Sequence, residues 1–348
     1  MNKWRRYLYL VVNEWGQGAY SLRRIDSSTL FFSRNQVKEA ATAAAAFTIE
    51  ETPLPRPQLS FTPSLHRGNL KFIGLFGNGR KKSHLAALEY GGVSHIYDVE
   101  HRTMQEIASP NECQFCDPVA LAVAESLYVM DREPIPGRNC SFEVLNNVLC
   151  KTNDDSSWHC LQPLPFVLEP GYERRFIESY TTSDGGSNIL ISTPGVGTYS
   201  LDVASGSWRK AGDWELPFRG RADFFPEYGV RFGFSSQDNL LCCSSDITAA
   251  VLEGAPLDMV WEDLNPPRRW IPRKSHLVYL GSNKFCVAKL FEKEFNIVSE
   301  LGCVSYTETF AVFTGLVLKP STDHSGLVML KHRSHIYRFS GITTCWVF

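Results

Sequence analysis

The residues most suggestive of chemistry are Cys113-Gln-Phe-Cys116, the one CxxC of the chain. Such a pair can offer two thiolates to zinc or cycle between dithiol and disulfide. Zinc needs about four ligands, and neither a second CxxC nor a spaced histidine pair completes the set nearby. The motif also lacks the βαβ surroundings of a thioredoxin-type site, so two loop cysteines without a metal are expected. His332-Arg-Ser-His335 would chelate only on a helix; in a strand–turn–strand setting the two imidazoles are expected at a turn and an edge. Cys242-Cys243 falls in a strand, where successive side chains point to opposite faces. No serine lies in a GxSxG elbow, and Asp154-Asp155 and Glu50-Glu51 sit in polar stretches where solvation accounts for them. The expectation is a protein without catalytic residues or cofactors.

Two stretches have the composition of contact surfaces. Gly77-Asn-Gly-Arg80-Lys81-Lys82 is a basic glycine-bearing loop. It lacks the order of a phosphate-binding P-loop and reads as a solvated hairpin loop with Asn-Gly geometry; nucleic-acid contact through Arg80, Lys81 and Lys82 is the alternative. Gly212-Asp-Trp214-Glu-Leu-Pro-Phe218-Arg219-Gly-Arg221 concentrates Trp214, Phe218, Arg219 and Arg221. An exposed connection would make these four the residue types enriched at binding hot spots. The competing expectation has Trp214 and Phe218 tucked under an adjoining sheet.

The elements that would position these residues repeat. In Gly197-Thr-Tyr199-Ser-Leu-Asp202-Val-Ala-Ser-Gly206-Ser-Trp208 a strand ends in an Asp, a tight turn follows, and Trp starts the returning strand. His95-Ile-Tyr97-Asp98 to Met104 and His335-Ile-Tyr337 to Trp346 have the same form; looser copies lead to Trp158 and Trp261, and Tyr20 to Asp26 lacks the Trp. The markers Met104, Trp158, Trp208 and Trp261 step at close to fifty residues, the period of a kelch-type blade. Gly91-Gly92 and Gly185-Gly186 fall between strands, where positive φ is needed. Small sheets of this kind cannot bury their own faces and must stack around an axis. The predicted fold is therefore all-β: one kelch-like β-propeller over residues 1–348, with six to seven four-stranded blades. Pairing of the N- and C-terminal strands would close it and remove an open edge. Residues 33–58, with Ala-rich Val37–Ala46 and Pro-rich Thr52–Pro57, are expected as a loop, short helix or connector within it.

Bulk properties set limits. The 348 residues carry a net charge of −2 and 43% hydrophobic residues, so no strong field draws the chain to nucleic acid or an anionic membrane. The apolar run Tyr7–Val12 is shorter than a secretory h-region, and no stretch spans a bilayer. Ten scattered cysteines are expected as reduced core thiols in the cytoplasm or nucleus.

The run from Gly197 to Arg221 resembles the grass-expanded plant family known as domain of unknown function 1668. So do Val260–Leu264, His276–Ser282, Phe310–Gly315, Leu330–His332, and the opening stretches Arg5–Val12 and Tyr20–Asp26, so the likeness covers nearly the whole chain. The resemblance implies a kelch-like plant protein without established activity or known catalytic residues. Some kelch-type plant proteins carry an F-box ahead of the propeller; here strands are expected from Tyr7, which speaks against ubiquitin-ligase receptor function. The functional expectation is a monomeric, non-enzymatic module that binds a protein partner through propeller loops. The alternative is an enzyme or small-molecule binder using the central channel.

Overall fold

The structure, a computed structural model, describes residues 4–14, 18–33, 49–65, 69–76, 82–112, 118–138, 140–149, 157–245, 257, 259–261, 266–299, 302–320, 326–339 and 343–348. They form β1 (Tyr7–Glu14), β2 (Ala19–Asp26), β3 (Ile49–Glu51), β4 (Pro57–Phe61), β5 (Leu70–Phe76), β6 (His84–Glu89), β7 (Ser94–Asp98) and β8 (Thr103–Ile107). Next come β9 (Val119–Val123), β10 (Ser126–Met130), β11 (Phe142–Leu145), β12 (Trp158–Cys160), β13 (Ser179–Thr182), β14 (Asn188–Thr193), β15 (Gly197–Asp202) and β16 (Trp208–Gly212). The rest are β17 (Phe218–Phe225), β18 (Val230–Ser235), β19 (Leu241–Ser244), β20 (Met259–Trp261), β21 (Ile271–Gly281), β22 (Lys284–Ser299), β23 (Gly302–Pro320), β24 (Leu327–Arg338) and β25 (Cys345–Val347). The protein is all-β apart from short 3-10 turns, and no described helix is long and apolar enough to cross a membrane.

These strands divide between two compact units, residues 63–260 and residues 1–62 with 261–348. The first holds the four-stranded meanders β5–β8 and β9–β12, and an eight-stranded sheet in which parallel β13–β17 pairing joins the meanders β13–β16 and β17–β20. Each meander is amphipathic in the way a stacked sheet requires. On β14 and β15, Ile189, Ile191, Tyr199 and Leu201 enter a core shared with Val119, Leu121, Val144 and Phe166 of the same unit.

The repeating Asp and Trp have identifiable work. Asp98 Oδ1 accepts the backbone N–H of Glu100 (2.8 Å) and His101 (3.1 Å), and Asp202 Oδ1 accepts that of Ser205 (2.7 Å). Both are Asx turns that reverse the chain into the fourth strand. Asp26 does the same for Ser28 (3.0 Å). The Trp then reaches backward: Trp158 Nε1 donates to Ala108 O and Trp208 Nε1 to Gln162 O, each at 2.9 Å. The fifty-residue spacing is thus the distance from one meander's last strand to the chain leaving the previous one.

The second unit contains the sheet β25–β1–β2–β4 and the five-stranded sheet β21–β22–β23–β24–β3. The terminal strands do pair, with Leu10, Val11 and Val12 opposite Val347, Trp346 and Cys345. The core of this unit gathers Leu8, Leu10, Leu30, Phe313 and Tyr337, the last two rings meeting edge to face at 5.2 Å.

Several expectations need correction. Glu50 and Glu51 are solvent-exposed as expected but not in a loop: they lie on β3, which pairs parallel with β24. Glu51 bonds Arg338 at 2.8 Å and Glu50 stands 3.5 Å from His335. His332 and His335 are not at a turn; both are buried within β24, which continues through the proposed turn with a register shift opposite Gly315. The cysteines are not all free thiols, because Cys140 and Cys160 form a disulfide with Cα atoms 5.0 Å apart. Cys242, Cys243, Cys286 and Cys345 are buried and not disulfide-bonded. Cys113, Cys116, Cys150, Asp154, Asp155 and Val37–Ala46 lie outside the described residues.

Candidate binding site

In the eight-stranded sheet, three cross-strand neighbours share a face: Leu190 on β14 pairs Ser200 on β15, which pairs Arg209 on β16. With Ser183, Asn188, Lys210, Ala211, Gly212, Asp213 and Trp214 they line a recess of about 630 Å³. Trp214 is brought there by a close approach to Gly212, where a Cβ would come 2.1 Å from the indole Nε1. Lys210 is held by Asp213 at 2.5 Å, and the pair keeps the ammonium charged, with its pKa raised by that hydrogen bond. The Ser200 hydroxyl is buried and finds no hydrogen-bond partner among the described residues. An unmet buried hydroxyl is costly, so a polar ligand atom at this spot would gain more than at a solvated one.

The four residues of the Trp214 stretch are dispersed. Trp214 is half-buried against Leu216, Phe218, Ala222 and Cys242. Phe218 is 1% exposed and is a core residue, because the connection ends before it and β17 begins there. Arg219 and Arg221 are therefore strand residues. The Arg219 side chain is 60% exposed and lies 3.9 Å from Glu178, whereas Arg221 is held by Asp223 at 2.6 Å. Arg80 and Lys81 lie outside the described residues, and Lys82 is exposed.

A second surface escaped the sequence reading. β22 and β23 pair along their whole length, from Lys284↔Val317 to Ser299↔Gly302. Pairing of β21 with β22 reaches only Glu292, and that of β24 with β23 only Phe310. Residues 293–299 and 302–308 thus continue as a two-stranded ribbon, with no strand on either edge among the described residues. Phe295 and Tyr306 are opposite one another on it, stacked at 5.7 Å and exposed by 41% and 46%. The only sequence signal is a long alternating run around Gly302.

Residues 5–337 match the family described as protein of unknown function, DUF1668. The chain belongs to the DUF1668 family. No curated protein matches this member. Among solved structures, one similar chain is an auxiliary nutrient binding protein from Bacteroides thetaiotaomicron (10% identity, TM-score 0.37), with 67% of the DUF1668 chain and 56% of that one aligned. The DUF1668 chain therefore spans little more than half the length of that protein. Another is the Cps50 (Swd1) β-propeller domain of Myceliophteria thermophila (13% identity, TM-score 0.33, 68% and 80% covered). A third is KlHsv2 with loop 6CD replaced by a Gly-Ser linker (6% identity, TM-score 0.41, 91% and 95% covered).

Proposed function

We propose that this DUF1668 member is a non-enzymatic protein-interaction module, its four four-stranded meanders and the two sheets of the terminal unit being blades of one kelch-like propeller. The repeating Asp turn and Trp tether and the β1–β25 pairing support the propeller reading. One observation carries the interaction reading: the ribbon formed by residues 293–299 and 302–308, with no strand on either edge among the described residues and a stacked, exposed Phe295–Tyr306 pair. Exposed edges offer backbone groups for strand addition, and aromatic side chains supply contact area at low entropic cost. A soluble protein ordinarily blunts such an edge, so its retention fits a surface that is covered in use.

The test is affinity purification with the full chain, comparing wild type with Phe295→Ser/Tyr306→Ser. A partner recovered with wild type and lost with the variant, at equal thermal stability, supports the module. Equal recovery from both moves the contact elsewhere.

A second reading has its own observation, the unpaired Ser200 hydroxyl beside Arg209 and Trp214. It makes the recess a site for a small anionic ligand with an aromatic or apolar body. Screening such compounds by thermal shift, against Ser200→Ala as control, tests it.

A further inference from the structure

The sheet β9–β12 holds a side-chain cluster that neither reading uses. Glu143 on β11 is the register partner of Cys160 on β12, and Cys140 enters β11 from the turn just before it. The two sulfurs and a Glu143 carboxylate oxygen all lie within 4.8 Å of one another. Glu143 is fully buried, and its carboxylate is fixed from behind. Oε1 accepts the Asn111 backbone N–H (2.9 Å) and side-chain amide (2.7 Å), and Oε2 accepts the Glu112 N–H (3.3 Å). Outer hydrogen bonds of this kind orient a metal-ligating carboxylate.

The charges around it are unbalanced. Asp131, Glu112 and Glu143 lie close enough that Glu112 and Glu143 both act to raise the Asp131 carboxyl, after burial itself. Arg138 bonds Asp131 at 2.6 Å and lies 3.7 Å from Glu112. Asp131 and Glu112 thus share the Arg138 guanidinium with the Glu143 carboxylate close by, and Glu112 Oε2 is buried without a hydrogen bond among the described residues. A bound dication would correct that excess. The sheet β5–β8 provides the contrast: its buried Glu89 anchors a loop in the same way, and its strands contain no cysteine.

We propose that Cys140, Glu143 and Cys160 form a zinc site when the two cysteines are reduced, with water completing the tetrahedron. Thiolate and carboxylate are ordinary zinc ligands, and thiolates select zinc over magnesium or calcium. Zinc displaces one proton from each thiol to solvent and no electron moves. The Cys140–Cys160 disulfide is the same pair in its oxidised form. A thiol reductant regenerates the ligands by delivering two electrons and two protons, itself becoming a disulfide.

The experiment uses the full chain, reduced, freed of reductant under argon, and titrated with Co²⁺ and then Zn²⁺. The expected result is a thiolate-to-cobalt charge-transfer band that saturates at about one equivalent and is abolished by zinc. Cys160→Ser and Glu143→Gln each weaken zinc binding by about 100-fold, Asn111→Ala by about 10-fold, and Cys242→Ser leaves it unchanged. Glu143→Gln keeps an oxygen for the Asn111 donors, so its metal-free thermal midpoint separates ligand loss from misfolding. No binding by the reduced chain, binding unaltered by Cys160→Ser or Glu143→Gln, or a band of four-thiolate intensity would each overturn the proposal. A Cys140–Cys160 bond that resists the reductant overturns it as well.

Discussion

The two compact units bury ionisable groups of opposite kinds for the same purpose. In residues 63–260 the loop anchors are acids: Glu89 accepts the backbone N–H of Ser64 (2.8 Å) and Leu65 (3.1 Å), and Glu143 those of Asn111 and Glu112. In the unit formed by the chain's two ends, the corresponding acceptor is a base. His332 Nδ1 accepts the N–H of Phe32 at 3.1 Å, and Phe31 and Phe32 pack against its ring. Each group works only while unprotonated at the accepting atom, but the two types start from different ordinary values, 6.5 for the imidazole and 4.5 for the carboxyl. Burial, reinforced by Lys284 and Lys319, lowers the His332 pKa from 6.5 to about 4. Burial pushes Glu89 up, but the hydrogen bonds from Ser64 and Leu65 outweigh it and hold the carboxyl below its ordinary value of 4.5. The units should therefore respond to acid at different points.

The largest expected effect tests whether they unfold separately at all. Phe313 is fully buried in the terminal unit, and Phe313→Ala should cost about 3–5 kcal/mol. If denaturant unfolding shows two transitions, only one of them should move; a single transition shifting as a whole would dissolve the comparison.

His332 comes next. The unfolded imidazole takes a proton near pH 6.5 and the folded one only at about 4. The unfolded state thus gains protons first as pH falls, and stability declines across that window by up to about 3 kcal/mol, then flattens. His332→Asn, which keeps an acceptor for Phe32, should remove this slope from stability–pH curves; a slope that persists would assign it elsewhere.

A smaller effect is expected in the other unit. Glu89→Gln should cost about 1–2 kcal/mol at neutral pH. It should also remove stability that wild type keeps above pH 4.5 and loses only below it. Equal acid profiles for the variant and wild type would contradict the anchoring role. Smallest of all, Trp208→Phe deletes one indole hydrogen bond to Gln162 and should cost about 1 kcal/mol by thermal unfolding.

That tether was also the most legible feature. Trp158 and Trp208, with the Asp turns at Asp98 and Asp202, are local devices repeated at fixed spacing, so the sequence exposes them directly. Even Met104, which cannot donate, stands at the same place on β8. The features missed depend on register instead. Cys140 and Cys160 meet because Glu143 on β11 pairs Cys160 on β12. The ribbon is visible only once β21 and β24 are seen to end early. His332 and His335 read from the sequence as turn and edge residues because only strand pairing shows that β24 continues past them, and the choice between an exposed and a tucked Phe218 is settled only by where β17 begins.

The pairing of β1 with β25 has a consequence for biosynthesis. β1 leaves the ribosome first and β25 last, and at about 5–20 residues per second the interval is tens of seconds. Throughout it, Leu10, Val11 and Val12 present an apolar strand with one side unoccupied, although residues 63–260 have already been made. The nascent chain thus carries β1 without its β25 partner until that last strand emerges, and shielding it during translation is a task for chaperones.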